Sequence, residues 1–188
     1  MKKIVGISLG FGDIYDEGGI GKLHQPLDGS IARFNAVAKC KPELIICTAG
    51  YSRKSPTAPS KERKLSLAHQ LNRYVTEYDQ KWEHRLFTRP LCWSTRNEIR
   101  VGIKIAKCRD IDGVTPFVLV IASNLTHLPR ICMYTKLYAP KNWRVKLVRA
   151  RHHFSVLDHS LEPPKIARDI IYIVKVLWRL RRYQAALR

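Results

Sequence analysis

Apolar and polar positions alternate along this chain in two distinct periods. Short, nearly continuous apolar runs recur as "KIVGISLG", "ELIICTAG", "PFVLVIAS" and "WRVKLVRA", with a weaker run at "HRLFTRP". Each is the length of a strand, and each ends in glycine, small or hydrogen-bonding residues. Between them the apolar residues repeat with helical spacing. "SIARFNAVAKC" puts Ile31, Phe34, Val37 and Ala38 on one face, with Asp28 or Ser30 available as N-cap. "SKERKLSLAHQLNRYVTEY" does the same with Leu65, Ala68, Leu71 and Val75. "STRNEIRVGIKIAKC" turns Ile99, Ile103 and Ile105 or Ala106 inward, and "THLPRICMYTKLYA" forms a further helix. A last helix is expected from about Pro164 to Arg182.

Strand and helix in alternation predict a parallel sheet covered by helices on both faces. The expected fold is α/β, a Rossmann-like three-layer α/β/α sandwich with a mostly parallel sheet of about five strands. Residues 1–160 would form this domain, and 161–188 a basic C-terminal helix packed on it or extending it. Two loops stand out by length, "DEGGIGKLHQPLDG" after the first strand and "YSRKSPTAPSKERK" after the second. Loops that long in a compact α/β domain carry function or disorder.

In an open parallel sheet, ligands bind outside the carboxyl ends of the strands. The residues found there are Gly10, Gly12 and Asp13 after the first strand, and Thr48 and Gly50 after the second. Ser94, Thr95, Asn97 and Glu98 follow the third, and Ser123, Asn124, Thr126, His127 and Arg130 follow the fourth. Hydrogen-bonding groups thus gather at one edge of the sheet, strand after strand. Gly10 and Gly50 would let a ligand approach the backbone closely. Thr95 followed three residues later by Glu98 reads as a capping box, and the free N–H groups of that helix start suit an anion. His127 and Arg130 lie in one helical turn. A cation there opposes the helix dipole, so a negative partner is expected nearby, and the planar guanidinium fork suits a phosphate or carboxylate.

Charge extends this picture. Lys and Arg number 34 against 15 Asp and Glu, a formal net charge of +19 over 188 residues. Such a balance favours anionic partners: a phosphorylated small molecule, nucleic acid or an anionic membrane face. The five cysteines are odd in number and form no C-x-x-C pair, which removes the zinc-ribbon and thioredoxin-like readings. Cys47 and Cys132 lie in apolar runs and read as core thiols. His152 and His153 are adjacent and would face opposite ways in an extended chain, so no metal site is expected. With no signal-peptide core and no membrane-length apolar run, a cytoplasmic location is expected.

The chain resembles the DUF218 superfamily, the YdcF/SanA/ElyC group. The likeness rests on "ISLGFGD", "IICTAGYS", "LCWSTRNE" and above all "VIASNLTHLPRI", in order from about residue 3 to 150. In the family a Ser-Thr-x-Glu-Asn element is usual, whereas here Asn97 precedes Glu98, and Thr48-Ala49-Gly50 stands for Ser-Gly-Gly. Without the membrane anchor of the envelope-linked members, it looks like a soluble, YdcF-like one. The resemblance implies a Rossmann-like fold whose pocket is lined by these four elements. It also implies a nucleotide-like or S-adenosylmethionine-like ligand.

The sequence therefore points to a protein that binds a small anionic ligand, nucleotide-like or phosphorylated. If it is an enzyme, the expected class is phosphoryl or pyrophosphoryl hydrolysis or transfer. His127 and Glu98 would be the catalytic candidates. Gly10, Gly12, Asp13, Thr48, Gly50, Ser94, Thr95, Asn97, Ser123, Asn124 and Arg130 would bind the ligand. The alternatives are an S-adenosylmethionine-like cofactor binder without hydrolysis and a basic nucleic-acid-binding module. A peripheral protein on an anionic membrane, using the last helix, is a further reading.

Overall fold

A computed structural model describes residues 2–10, 29–50, 66–92, 94–110, 115–151, 163–175 and 178. Five strands, β1 (Lys3–Ser8), β2 (Leu44–Ala49), β3 (Leu86–Cys92), β4 (Phe117–Ser123) and β5 (Arg144–Arg149), form one sheet. Four helices lie between them: α1 (Gly29–Ala38), α2 (Leu67–Tyr78), α3 (Thr95–Lys107) and α4 (Leu128–Tyr138). Short 3-10 turns at Gln80–Arg85 and Leu125–His127 precede β3 and α4. Every pairing is parallel and the strand order is β3-β2-β1-β4-β5. The expected Rossmann-like α/β fold is what the chain adopts.

The central strands are mostly apolar, with the polar residues Ser8, Thr48 and Ser123 toward the carboxyl ends, because both of their faces are covered. Ile7, Leu119 and Ile121 are fully buried. Two glycines let helices close on β1 from either side. A side chain at Gly6 would strike Val37 of α1, and one at Gly102 of α3 would come within 2.7 Å of Ile7. The α1 and α2 layer is built on Phe34, Val37, Ala68, Leu71 and Val75, with Trp82 packed edge-on against Phe34. By contrast β5 is an edge strand, and Arg144, Lys146 and Arg149 on it are exposed. Charged side chains on an edge discourage pairing with another chain.

Several boundaries differ from the sequence expectation. The third strand runs on through Pro90 to Cys92 instead of stopping at the proline. It is an edge strand of the sheet, like β5, and its register against β2 shifts between Cys47 and Ala49, which is where a missing N–H is tolerated. Ser30 lies inside α1 and does not cap it, since the helix already begins at Gly29; Asp28 falls outside the described residues. Ala106, not Ile105, completes the inward face of α3. Cys132 is only half-buried, whereas Cys92 joins Cys47 in the interior. Leu65 and the stretch before it lie outside the described residues.

The chain divides into two compact units, Met1–His153 and Phe154–Arg188. In the second, residues 163–175 are helical. No helix among the described residues is long and apolar enough to cross a membrane.

Candidate functional site

Strand order decides where this fold can hold a ligand. The chain leaves β1 for β2 on one side, and only later returns to place β4 on the other. The connections after β1 and β4 diverge, which opens a crevice at their carboxyl ends. Ser8 of β1 pairs in register with Ala122 of β4, so Gly10 and Ser123–Asn124 emerge side by side. The residues singled out by sequence at these two exits are therefore neighbours in space.

With Arg33 of α1 and the backbone of Gly10, they form a continuous hydrogen-bonded ring. Thr95 Oγ1, on the first residue of α3, lies 3.2 Å from His127 Nε2. The other ring nitrogen, Nδ1, is 2.9 Å from Ser123 Oγ. Ser123 donates to Asn124 Oδ1 at 3.2 Å, and Arg33 Nη2 donates to the same oxygen at 3.4 Å. Arg33 Nη1 donates to the carbonyl of Gly10 at 3.2 Å. The N–H of Gly10 donates to Glu98 Oε2 at 2.9 Å. Glu98 stands three residues after Thr95, so the ring closes on α3.

Donor and acceptor chemistry orients this ring. A guanidinium only donates, so the atom of Asn124 facing Arg33 is its oxygen. The amide nitrogen of Asn124 then points at Thr126 Oγ1, 2.6 Å away. Ser123 spends its single proton on Asn124 and presents a lone pair to His127. The neutral tautomer that satisfies both contacts carries its proton on Nδ1 and turns the Nε2 lone pair to the Thr95 hydroxyl. His127 is 6% exposed, whereas Thr95 is half-buried and still reachable from outside.

Electrostatics at the site are uneven. Arg33 and Arg130 are both buried, at 1% and 7% exposure. Glu98 is also buried. Its carboxyl is pushed up from 4.5 to about 7, chiefly by burial; the Gly10 N–H and the Arg33 charge offset part of this. Helices α3 and α4 touch each other, and both begin at this edge of the sheet, bringing the positive ends of their dipoles to it.

No family model matches this chain, and no curated protein or solved structure matches it. The functional reading therefore rests on the geometry of the site.

Not every predicted residue enters the ring. Thr48 is fully buried beneath it, with its hydroxyl 3.4 Å from the Glu98 carbonyl. The Gly50 N–H donates to the Cys92 carbonyl at 2.6 Å, and its own carbonyl accepts from the Leu67 amide at 2.9 Å. A side chain at Gly50 would come within 2.7 Å of that Cys92 carbonyl. Close approach of backbones inside the protein is thus sufficient reason for this glycine. Gly12 and Asp13 lie outside the described residues, as do His152 and His153.

The start of α3 corrects the capping box. Ser94, not Thr95, is the N-cap, and it accepts from the Asn97 N–H at 3.4 Å. The Glu98 carboxylate turns to Gly10 instead of back to the helix start. Of the neighbours Asn97 and Glu98, it is Glu98 that faces inward, while Asn97 is half-buried. One member of the ring, Arg33, was not expected. Its signal was its position: it is four residues before Val37 on a helix face that packs inward, where an unpaired cation is costly.

No cluster of three or more potential metal-ligating side chains occurs among the described residues. Nor do the buried thiols look reactive. Burial pushes Cys47 up to about 12 and raises Cys92, which keeps both as neutral thiols. A groove of about 380 Å³ lies elsewhere, between the later turns of α4 and β5, lined by Cys132, Thr135, Lys136, Trp143 and Leu147 among others. It contains none of the ring residues.

Proposed function

We propose that this protein binds a small phosphorylated or nucleotide-like anion at the crevice between the ends of β1 and β4. The observation that carries the reading is the ring itself. It holds His127 by both nitrogens beside a reachable hydroxyl, joined through Ser123 and Asn124 to the buried Arg33 guanidinium and, across Gly10, to a carboxyl that burial drives toward neutrality. The helix starts of α3 and α4 at this edge favour a ligand that brings negative charge. Arg130, in the first turn of α4, is assigned to grip that charge, with the amides at the start of α3 contributing. His127 is assigned as acid/base, and the class of chemistry is phosphoryl or pyrophosphoryl hydrolysis or transfer. The resemblance to DUF218 proteins favours the same edge of the sheet.

Titration calorimetry with pyrophosphate, ATP and S-adenosylmethionine tests this. Pyrophosphate or ATP should bind, and Arg130→Ala should weaken that binding about 10- to 100-fold, the range for a charge-assisted hydrogen bond. Affinity equal to wild type in Arg130→Ala would remove Arg130 from the site. Binding of S-adenosylmethionine alone would replace the phosphoryl reading with that of a cofactor binder.

A further inference from the structure

We propose that Thr95 is a nucleophile that takes up a phosphoryl group from a phosphate ester or anhydride, with His127 as its general base. The substrate class rests on the anion-site reading above. The assignment of Thr95 rests on the ring, and on three features of it.

First, the lone pair is aimed. The chain from Arg33 through Asn124 and Ser123 leaves His127 Nδ1 protonated and Nε2 open toward Thr95 Oγ1 at 3.2 Å. A hydroxyl is a weak nucleophile until an adjacent base accepts its proton, and this is hydrogen-bonding reach for that transfer. Second, the base is held. His127 is buried and bonded at both nitrogens, so its orientation does not depend on the ligand. Third, the hydroxyl is free of other structural duty. The N-cap role at α3 belongs to Ser94, which leaves Thr95 Oγ1 committed to His127 and half-open to solvent.

The chemistry balances without a further co-reactant. Thr95 Oγ attacks phosphorus, the new Oγ–P bond forms, and the bond from phosphorus to the leaving oxygen breaks. The threonine proton passes to His127 Nε2 and from there to the leaving oxygen. Water then attacks phosphorus, its proton going to His127, and the Oγ–P bond breaks. His127 returns the proton to Thr95 Oγ, and inorganic phosphate leaves. Ser123 and Asn124 are positioning residues: they act through His127 and do not touch the reacting atoms.

The test uses the full chain incubated with acetyl phosphate, para-nitrophenyl phosphate or ATP, quenched in acid and read by intact mass and peptide mapping. Wild type is expected to gain the mass of one phosphoryl group, mapped to Thr95. Thr95→Val should show no adduct and Thr95→Ser should retain it. His127→Asn should slow its formation between about 100- and 10,000-fold. Absence of an adduct on wild type from all three donors overturns the proposal, as does Thr95→Val turnover as fast as wild type. If wild type binds pyrophosphate yet forms no adduct, the nucleophile falls while the anion site stands; if it does neither, both fall. Should Thr95→Val fail to fold by circular dichroism, the wild-type mapping and the Thr95→Ser and His127→Asn rates decide the matter.

Discussion

Thr95 and Glu98 stand one turn apart at the start of α3 and hold the two ends of a single hydrogen-bonded ring. Thr95 reaches His127 beyond β4, and Glu98 reaches the Gly10 amide beyond β1. Arg33 of α1 joins the two halves by donating to both Asn124 and Gly10. The ring thus ties together α1, α3, the residues leading into α4 and the ends of the two central strands. Disturbing any member should be felt at the others.

Glu98 makes stability depend on pH in a specific direction. Its carboxyl is raised from 4.5 to about 7, so between those values the folded state holds the proton more tightly than the unfolded chain. The associated stability is fully present below pH 4.5 and is lost as pH rises through 7. Its size is about 3 kcal/mol at 1.36 kcal/mol per pH unit. Glu98→Gln keeps an oxygen for the Gly10 N–H and has no charge to desolvate. Urea unfolding at pH 5 and pH 8 should show that this variant loses the decline seen in wild type.

Arg33→Met should lower stability by about 3 kcal/mol. The thioether fills much of the space but leaves the Gly10 carbonyl and Asn124 Oδ1 without their charged donor. Thermal or urea unfolding checks the loss. The same variant should weaken pyrophosphate binding, because the tautomer of His127 is no longer enforced. Binding undiminished in a destabilised Arg33→Met would separate the ring's structural role from the ligand.

Gly50→Ala should cost about 1–3 kcal/mol, the usual range for forcing an extra methyl into packed structure. Its methyl would press on the Cys92 carbonyl, which is backbone and cannot rotate away. Gly102→Ala should be milder, since its nearest contact is the flexible tip of Ile7. Urea midpoints of the two variants, measured side by side, test the ordering.

The net charge of +19 supports a different outcome that a salt titration can detect. If the protein binds nucleic acid through this charge, oligonucleotide affinity should fall by orders of magnitude between 50 and 200 mM salt, as it does at about 6–10 phosphate contacts. Under the anion-site reading, oligonucleotide binding should instead be weak even at low salt, and Arg130→Ala should not change it.

Much of the site was legible because strand ends announce themselves. Gly10, Ser123, Asn124, His127, Thr95 and Glu98 all follow apolar runs, and all six belong to the ring. Arg33 was missed because it sits inside a helix that otherwise reads as an apolar face. The two glycines after β1 and β2 also read alike in sequence. Yet Gly10 takes part in the ring, while both backbone groups of Gly50 are used by Cys92 and Leu67.

The sequence by itself determined the alternation of strand and helix, hence a parallel sheet with polar residues gathered at one edge. Those are local matters of period and turn chemistry, readable within a dozen residues. Only the tertiary structure decided that β4 lies beside β1 and not beside β3, which brings Asn124 within reach of an arginine 91 positions earlier. It also decided that Glu98 and not Asn97 turns inward, since that depends on the phase at which α3 meets the sheet. Finally, it gave Thr95 a partner in His127 and left the cap to Ser94, because a hydroxyl at a helix start goes to whichever acceptor the packing of α3 against α4 brings to it.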